Sequence, residues 1–208
     1  SNNTSAWTCF FNKLHINLVN FKIRHICGFS IKKVMESGKN IVFLGMMGSG
    51  KSSIGFLVSK KLKLDFYDID DHIEKKLDMK ILEIFKNKGE DFFRKEEEKI
   101  TLNILKKRRG VISLGGGAFI NKNIRKEVLK NHLSFWLKVD SNILLNRIKK
   151  SVKRPLALNT SGDDLKNMNK IRSKYYSKAL FKINCGKQKK EEIINKILNI
   201  YENYKINN

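Results

Sequence analysis

Gly45-Met46-Met47-Gly48-Ser49-Gly50-Lys51-Ser52 decides how this chain is read. Before it stands Ile41-Val42-Phe43-Leu44, a short apolar run rich in β-branched residues. After it, Ser53 to Leu62 carries apolar residues at helical spacing. Strand, glycine-rich turn and helix is the context that the pattern G-x-x-x-x-G-K-[ST] requires. Glycines let successive backbone N–H groups turn inward on an anion, and the helix N-terminus adds partial positive charge. A site for a nucleoside triphosphate is therefore expected, built from Gly45, Gly48, Ser49, Gly50, Lys51, Ser52 and Ser53. Lys51 is expected to reach the β- and γ-phosphates, and the Ser52 hydroxyl to take a position on magnesium.

The surrounding 208 residues are 41% hydrophobic and 30% charged, ordinary values for one soluble domain with a proper core. No apolar stretch is long enough to span a bilayer. Cys9, Cys27 and Cys185 form no C-x-x-C pair, which argues against a zinc site or disulfide framework and suits a reducing compartment. The net charge of +23 has two readings. Lysine-rich faces bind nucleic acid by releasing counterions. Here, though, the lysines are spread over every segment without interleaved aromatics, as a general compositional bias would leave them, which argues against a nucleic-acid partner.

Residues 1–38 stand apart. Lys13, Lys22, Arg24, Lys32 and Lys33 precede the first acid, Glu36, and Ser, Asn and Thr crowd the start. That composition suits a poorly ordered leader, either an organelle transit peptide or a non-native extension. The compact domain is expected over residues 39–208, in the cytoplasm, or in a plastid-type organelle if the leader is a transit peptide.

Strands are expected at 41–44, 64–68, 111–114, 133–139 and 181–185. Helices are expected at 53–62, from His72 with a break at Gly89, then at 91–107, 121–131, from 140 or 141 to about 150, 164–180 and 191–204. Phe92, Phe93, Ile100, Leu102, Ile104 and Leu105 should line the inner side of the long helix, and Ile124, Val128 and Leu129 that of the helix at 121–131. The alternation implies an α/β fold, a five-stranded parallel sheet covered by helices on both faces. Residues 151–165 lack periodicity and suggest a mobile lid.

Ligands of such sheets collect beyond the carboxyl ends of the strands. Asp68 and Asp70 end the second strand; two apart in extended chain, they would share a side and suit a magnesium ion and a substrate hydroxyl. Helix capping is the alternative. Gly115-Gly116-Gly117 ends the third strand, either where a ligand approaches the main chain or as a flexible turn. Arg94 and Glu97 share a helical face, by default as a solvated pair. Arg154-Pro155, and Arg172 followed by Tyr175 and Tyr176, are individually weak signals.

Taken in order, the phosphate loop, Asp68-Ile69-Asp70, Gly89 to Glu97, Gly115 to Ala118, Arg154-Pro155-Leu156 and Arg172 to Ala179 strongly resemble the shikimate kinase family over residues 40–204. The resemblance implies a nucleoside-monophosphate-kinase-like fold and transfer of the ATP γ-phosphoryl group to the 3-hydroxyl of shikimate. It implies carboxylate binding by Arg94 and Arg172, with Glu97 holding Arg94. Asp70 would face the substrate hydroxyls as proton acceptor. Gly116, flanked by Gly115 and Gly117, would offer its backbone to the substrate. Asp68 would act on magnesium beside Ser52, and Arg154 would reach the nucleotide from the lid. A monomer is implied. Ser53 stands where threonine is commoner. A gluconate-type or other small-molecule kinase, and a catalytically silent kinase-like protein, remain the alternatives.

Overall fold

Every strand of the sheet is parallel, so each must be fed by a crossover, and helices supply those crossovers. The computed structural model describes residues 38–107, 109–149, 161–186 and 188–206. Lys39–Ile200 cluster as one compact unit, and the described residues 38 and 201–206 fall outside it. The elements are β1 (Ile41–Leu44), α1 (Lys51–Leu62), β2 (Asp65–Asp68), α2 (Ile69–Leu77), α3 (Ile81–Lys106), β3 (Gly110–Ser113), a 3₁₀ turn (Ala118–Ile120), α4 (Lys122–Asn131), β4 (Leu133–Lys138), α5 (Ser141–Lys149), α6 (Gly162–Tyr176), β5 (Phe181–Asn184) and α7 (Lys190–Ile206).

The strand order is β2-β3-β1-β4-β5. β1 is thus central, paired with β3 through Ile41↔Val111 and with β4 through Ile41↔Leu133. Its four side chains are all buried, as expected for a strand covered on both faces. Chain direction across the sheet reverses at β1 and β3, which puts the ligand crevice past their carboxyl ends. The last rung there is the bond from the Leu114 N–H to the Phe43 carbonyl, 3.0 Å.

At the opposite end of the sheet Asn40 is fully buried. Its side-chain amide donates to the Leu105 carbonyl (2.9 Å) and its oxygen accepts the Gly110 N–H (2.8 Å). Its backbone carbonyl accepts from Leu133 N–H, and its N–H donates to His132 Nδ1.

Several boundaries differ from the sequence expectation. Helix α2 begins at Ile69, not His72, because the Asp68 side chain caps it by accepting the Asp70 N–H at 3.1 Å. Asp70 therefore lies in the first helical turn and not in extended chain. Helix α6 begins at Gly162, capped by Ser161, and ends at Tyr176, so the chain is already helical at 162–165. Residues 151–160, most of the expected lid, and residues 1–37 of the expected leader lie outside the described residues. Gly89, at φ 81° and ψ 171°, kinks α3 where a break was expected. Phe92 and Leu129 are exposed and Leu102 is half-buried, while Phe93, Ile100, Ile104 and Leu105 enter the core. Ile124 and Val128, four apart, already fill the inner stripe of α4, and Leu129 is turned a further 100° away.

Candidate active site

The loop between β1 and α1 wraps tightly because Gly45, Gly48 and Gly50 all take positive φ (140°, 79° and 95°), which side-chain-bearing residues rarely adopt. Lys51 opens α1 and is buried, its Nζ donating to the carbonyls of Gly45 (2.9 Å) and Met46 (3.0 Å). The Ser49 hydroxyl is buried in the loop without a hydrogen-bond partner. A pocket of about 270 Å³ opens beside the loop, lined by Gly48, Gly50, Lys51, Ser52, Ser53, Arg147 and Ile148. Of the eight expected nucleotide-binding residues, Gly48, Gly50, Lys51, Ser52 and Ser53 line that pocket, and Ser49 lies in the turn that builds it. The Gly45 carbonyl accepts from Lys51, and Arg154 lies outside the described residues. Positive helix end, ammonium group and inward amides together suit a polyphosphate.

Arg147 was not singled out from the sequence. It lies on α5 with Nη1 3.4 Å from the Gly48 carbonyl, and adds a second cation to the pocket. Nothing in its sequence neighbourhood distinguishes it from other basic residues; only the packing of α5 beside the loop does.

A second cluster forms around the three glycines after β3. A Cβ on Gly115 would run into Glu97 Oε1 and come within 2.9 Å of Asp70 Oδ1. On Gly116 it would lie 3.5 Å from Arg172 Nη1 and 3.4 Å from the Met47 backbone nitrogen. On Gly117 it would lie 2.7 Å from Arg94 Nη1. Gly115 and Gly117 are therefore sites of close approach, whereas a Cβ on Gly116 would make ordinary contacts. Asp70, Arg94, Glu97 and Arg172, from three separate helices, converge on the three glycines, directly beside the phosphate loop.

Within the cluster, Arg94 Nη1 donates to Glu97 Oε2 at 2.7 Å, and its Nε and Nη2 both donate to Glu90 Oε1 (3.1 and 3.0 Å). Its guanidinium also lies 5.1 Å from the ring centre of Phe93. Three of a guanidinium's five N–H groups are thus engaged, leaving two for a ligand. This is no solvated surface pair, since Glu97 is only 2% exposed. Burial raises the Glu97 carboxyl above the ordinary carboxylate range; Arg94 and Arg172 pull it down, and Asp70 pushes it up. Arg94 itself is raised, burial opposing the rise and Glu97 with Glu90 enforcing it. Two arginines facing a glycine strip, with Asp70 at its edge, have the chemistry to bind a small carboxylate.

Asp68 is buried at the end of β2, with one carboxylate oxygen committed to the α2 cap. Ser52 is exposed in the pocket wall. Among the described residues no group of three or more His, Cys, Asp or Glu side chains is placed to hold a metal by itself. Arg154 lies outside the described residues. Among these, no helix is long and apolar enough to cross a membrane.

A phosphate loop at the end of a central parallel strand, beside a cluster of Asp70, Arg94, Glu97 and Arg172 at the end of the neighbouring strand, defines a P-loop small-molecule kinase with nucleoside-monophosphate-kinase-like architecture. The family model described as shikimate kinase matches residues 47–202. Shikimate kinase of Bartonella henselae is 39% identical over 186 residues, 87% of this chain and 88% of that protein. The enzyme of Bacillus subtilis is 41% identical over 162 residues, 77% and 87% of the two chains. Among solved structures, shikimate kinase from Acinetobacter baumannii in complex with shikimate superposes with a TM-score of 0.76 at 27% identity, covering 81% of this chain and 96% of that one. The chain belongs to the shikimate kinase family.

Proposed function

We propose that the protein transfers the γ-phosphoryl group of ATP to the 3-hydroxyl of shikimate, releasing ADP and shikimate 3-phosphate, a step toward aromatic amino acids. The observation that carries this reading is the convergence of Arg94, Arg172 and Asp70 on Gly115–Gly117, against the phosphate loop. Shikimate has one carboxylate and three ring hydroxyls, which matches two guanidinium forks and one acceptor carboxylate.

Phosphoryl transfer is mainly a matter of positioning and charge. Arg94 and Arg172 grip the shikimate carboxylate, and Glu97 keeps Arg94 aimed. The Gly116 backbone contacts the substrate between Gly115 and Gly117. Asp70 accepts the proton of the 3-hydroxyl as its oxygen bonds to the γ-phosphorus and the bond to the β-phosphate oxygen breaks. Lys51 leaves its loop carbonyls for the phosphates and balances the charge passing to ADP. The amides of Gly48, Ser49 and Gly50 cradle the phosphates, and Ser53 completes the pocket wall. Arg154 reaches the transferring group from the lid.

Ser52 and Asp68 would hold a magnesium ion, the latter through water because its carboxylate also caps α2. Hydroxyl and carboxylate oxygens suit that hard cation, which commonly takes one or two protein groups and completes its shell with phosphate and water. Bound there, the ion would neutralise phosphate charge. The protein works in the cytoplasm as a monomer on small-molecule substrates, without a nucleic-acid partner.

Coupled ADP release with shikimate, gluconate and nucleoside monophosphates supplied separately tests the reading. Turnover is expected with shikimate alone. Turnover on gluconate with none on shikimate would overturn it.

A further inference from the structure

Tyr176 closes α6 with only 1% of its surface exposed, its ring 6.1 Å from that of Trp136 on β4. A phenylalanine would fill the same space, so packing alone does not call for the hydroxyl. That hydroxyl nevertheless sits where three elements meet. It donates a short hydrogen bond to the Gly116 carbonyl. It lies 3.8 Å from Met46 Sδ in the phosphate loop. Arg172, one turn earlier on the same helix, bears on it electrostatically and lowers its pKa against the effect of burial. Burial pushes its pKa up to about 12, so it stays a protonated donor throughout the physiological range.

The position has a geometric reason. Ladder bonding between β1 and β3 stops at the Leu114 to Phe43 bond, and beyond it each strand runs into its own glycine-rich loop. One of those loops carries the donor nucleotide and the other lines the acceptor pocket. Tyr176 touches both.

We propose that Tyr176 is a positioning residue that sets the span between donor and acceptor, through its hydroxyl's bond to the Gly116 carbonyl, braced on Met46. The proposal rests on the kinase reading above. In-line transfer tolerates little error, since a displacement of about 1 Å can lower the rate on the order of a hundredfold. A loosened span would slow transfer and also let water compete for the phosphoryl group.

Tyr176→Phe in the full chain tests this. We expect kcat with ATP and shikimate to fall about tenfold, KM for ATP to stay unchanged, and ADP release to exceed shikimate 3-phosphate formation. A merely structural role would lower active enzyme without changing that product ratio. Amide exchange over residues 45–49 and 115–118, measured without any acceptor, is expected to rise jointly in the variant. A wild type silent on shikimate would sink the acceptor assignment and leave this exchange comparison to decide Tyr176. Should Tyr176→Phe fail to fold, Met46→Leu, which keeps the volume and removes the sulfur, decides the matter by the same product ratio and exchange readouts. Wild-type kcat, equal products and unchanged exchange would overturn the proposal.

Discussion

The guanidinium of Arg94 is held from the protein side by Glu97, Nη1 to Oε2 at 2.7 Å, while the other Glu97 oxygen is buried without a hydrogen-bond partner. Charge is thus stored under the acceptor pocket in a pair whose outer member still has donors to offer. Replacing Arg94 by lysine keeps the charge and loses the fork. We expect Arg94→Lys to raise KM for shikimate by about tenfold to a hundredfold and leave KM for ATP unchanged. Steady-state kinetics with each substrate varied in turn checks this, and unchanged shikimate affinity would remove Arg94 from the site.

The proposed transfer gives Asp70 the proton of the acceptor hydroxyl and no part in holding the nucleotide. Asp70→Asn keeps the helical turn, because the Asp68 cap binds the backbone N–H of residue 70 and not its side chain. The variant should lose at least about a hundredfold in kcat, with ATP affinity by calorimetry preserved. Near-normal turnover would assign the proton elsewhere.

Glu97 should leave a signature in stability against pH. Its native carboxyl is raised by burial. The folded protein therefore keeps a proton that the unfolded chain has already released, and stability is lost as pH rises from the unfolded carboxyl range through the native value. Glu97→Gln cannot show that loss. Melting temperatures of the two proteins should therefore diverge in favour of the variant as pH rises across that window. Convergence would contradict the direction. At neutral pH the same variant should bind shikimate more weakly, since Arg94 loses its anchor.

Gly115→Ala should be far more damaging than its size suggests. The added methyl meets Glu97 and Asp70 together, whereas a methyl on Gly186 meets nothing within 4 Å. We expect at least about a tenfold loss of kcat/KM for shikimate in Gly115→Ala and none in Gly186→Ala. Equal effects of the two would show that the glycine strip tolerates side chains.

Cys185 is 1% exposed at the end of β5, and burial raises its thiol to about 11 against the opposing pull of Arg147 and Lys196. Native protein treated with iodoacetamide at pH 8 should remain unmodified at this position by peptide mass mapping, and should react fully once denatured.

The parts of this molecule legible in its sequence are those whose cause is local. The phosphate loop is a contiguous pattern, and Val111-Ile112 in β3 reads as strand because both its faces are buried. Asp70 was misplaced by a single bond, since one capping carboxylate turns strand into helix a residue after Asp68. Arg94 and Glu97 show in sequence only a three-residue spacing. Their setting depends on α3 meeting the glycines and the 3₁₀ turn that follow β3, which no local pattern encodes. Arg147 and Tyr176 were missed as site residues for the same reason: one is an arginine among lysines, the other one of two adjacent tyrosines. Their meaning comes from neighbours some 99 and 60 positions away in the chain.

Asn40 closes the end of the sheet far from the ligands, joining the start of β3, the start of β4 and the end of α3 through one buried amide and its own peptide groups. The sheet is therefore expected to be mechanically lopsided, looser at the end that carries the glycine loops than at the end that Asn40 ties together. Backbone amides bonded there, Gly110 and Leu133 among them, should exchange with solvent only on global unfolding. Those of the phosphate loop and the glycine strip should exchange through small local openings. Substrates can then come and go without the chain approaching its unfolding threshold.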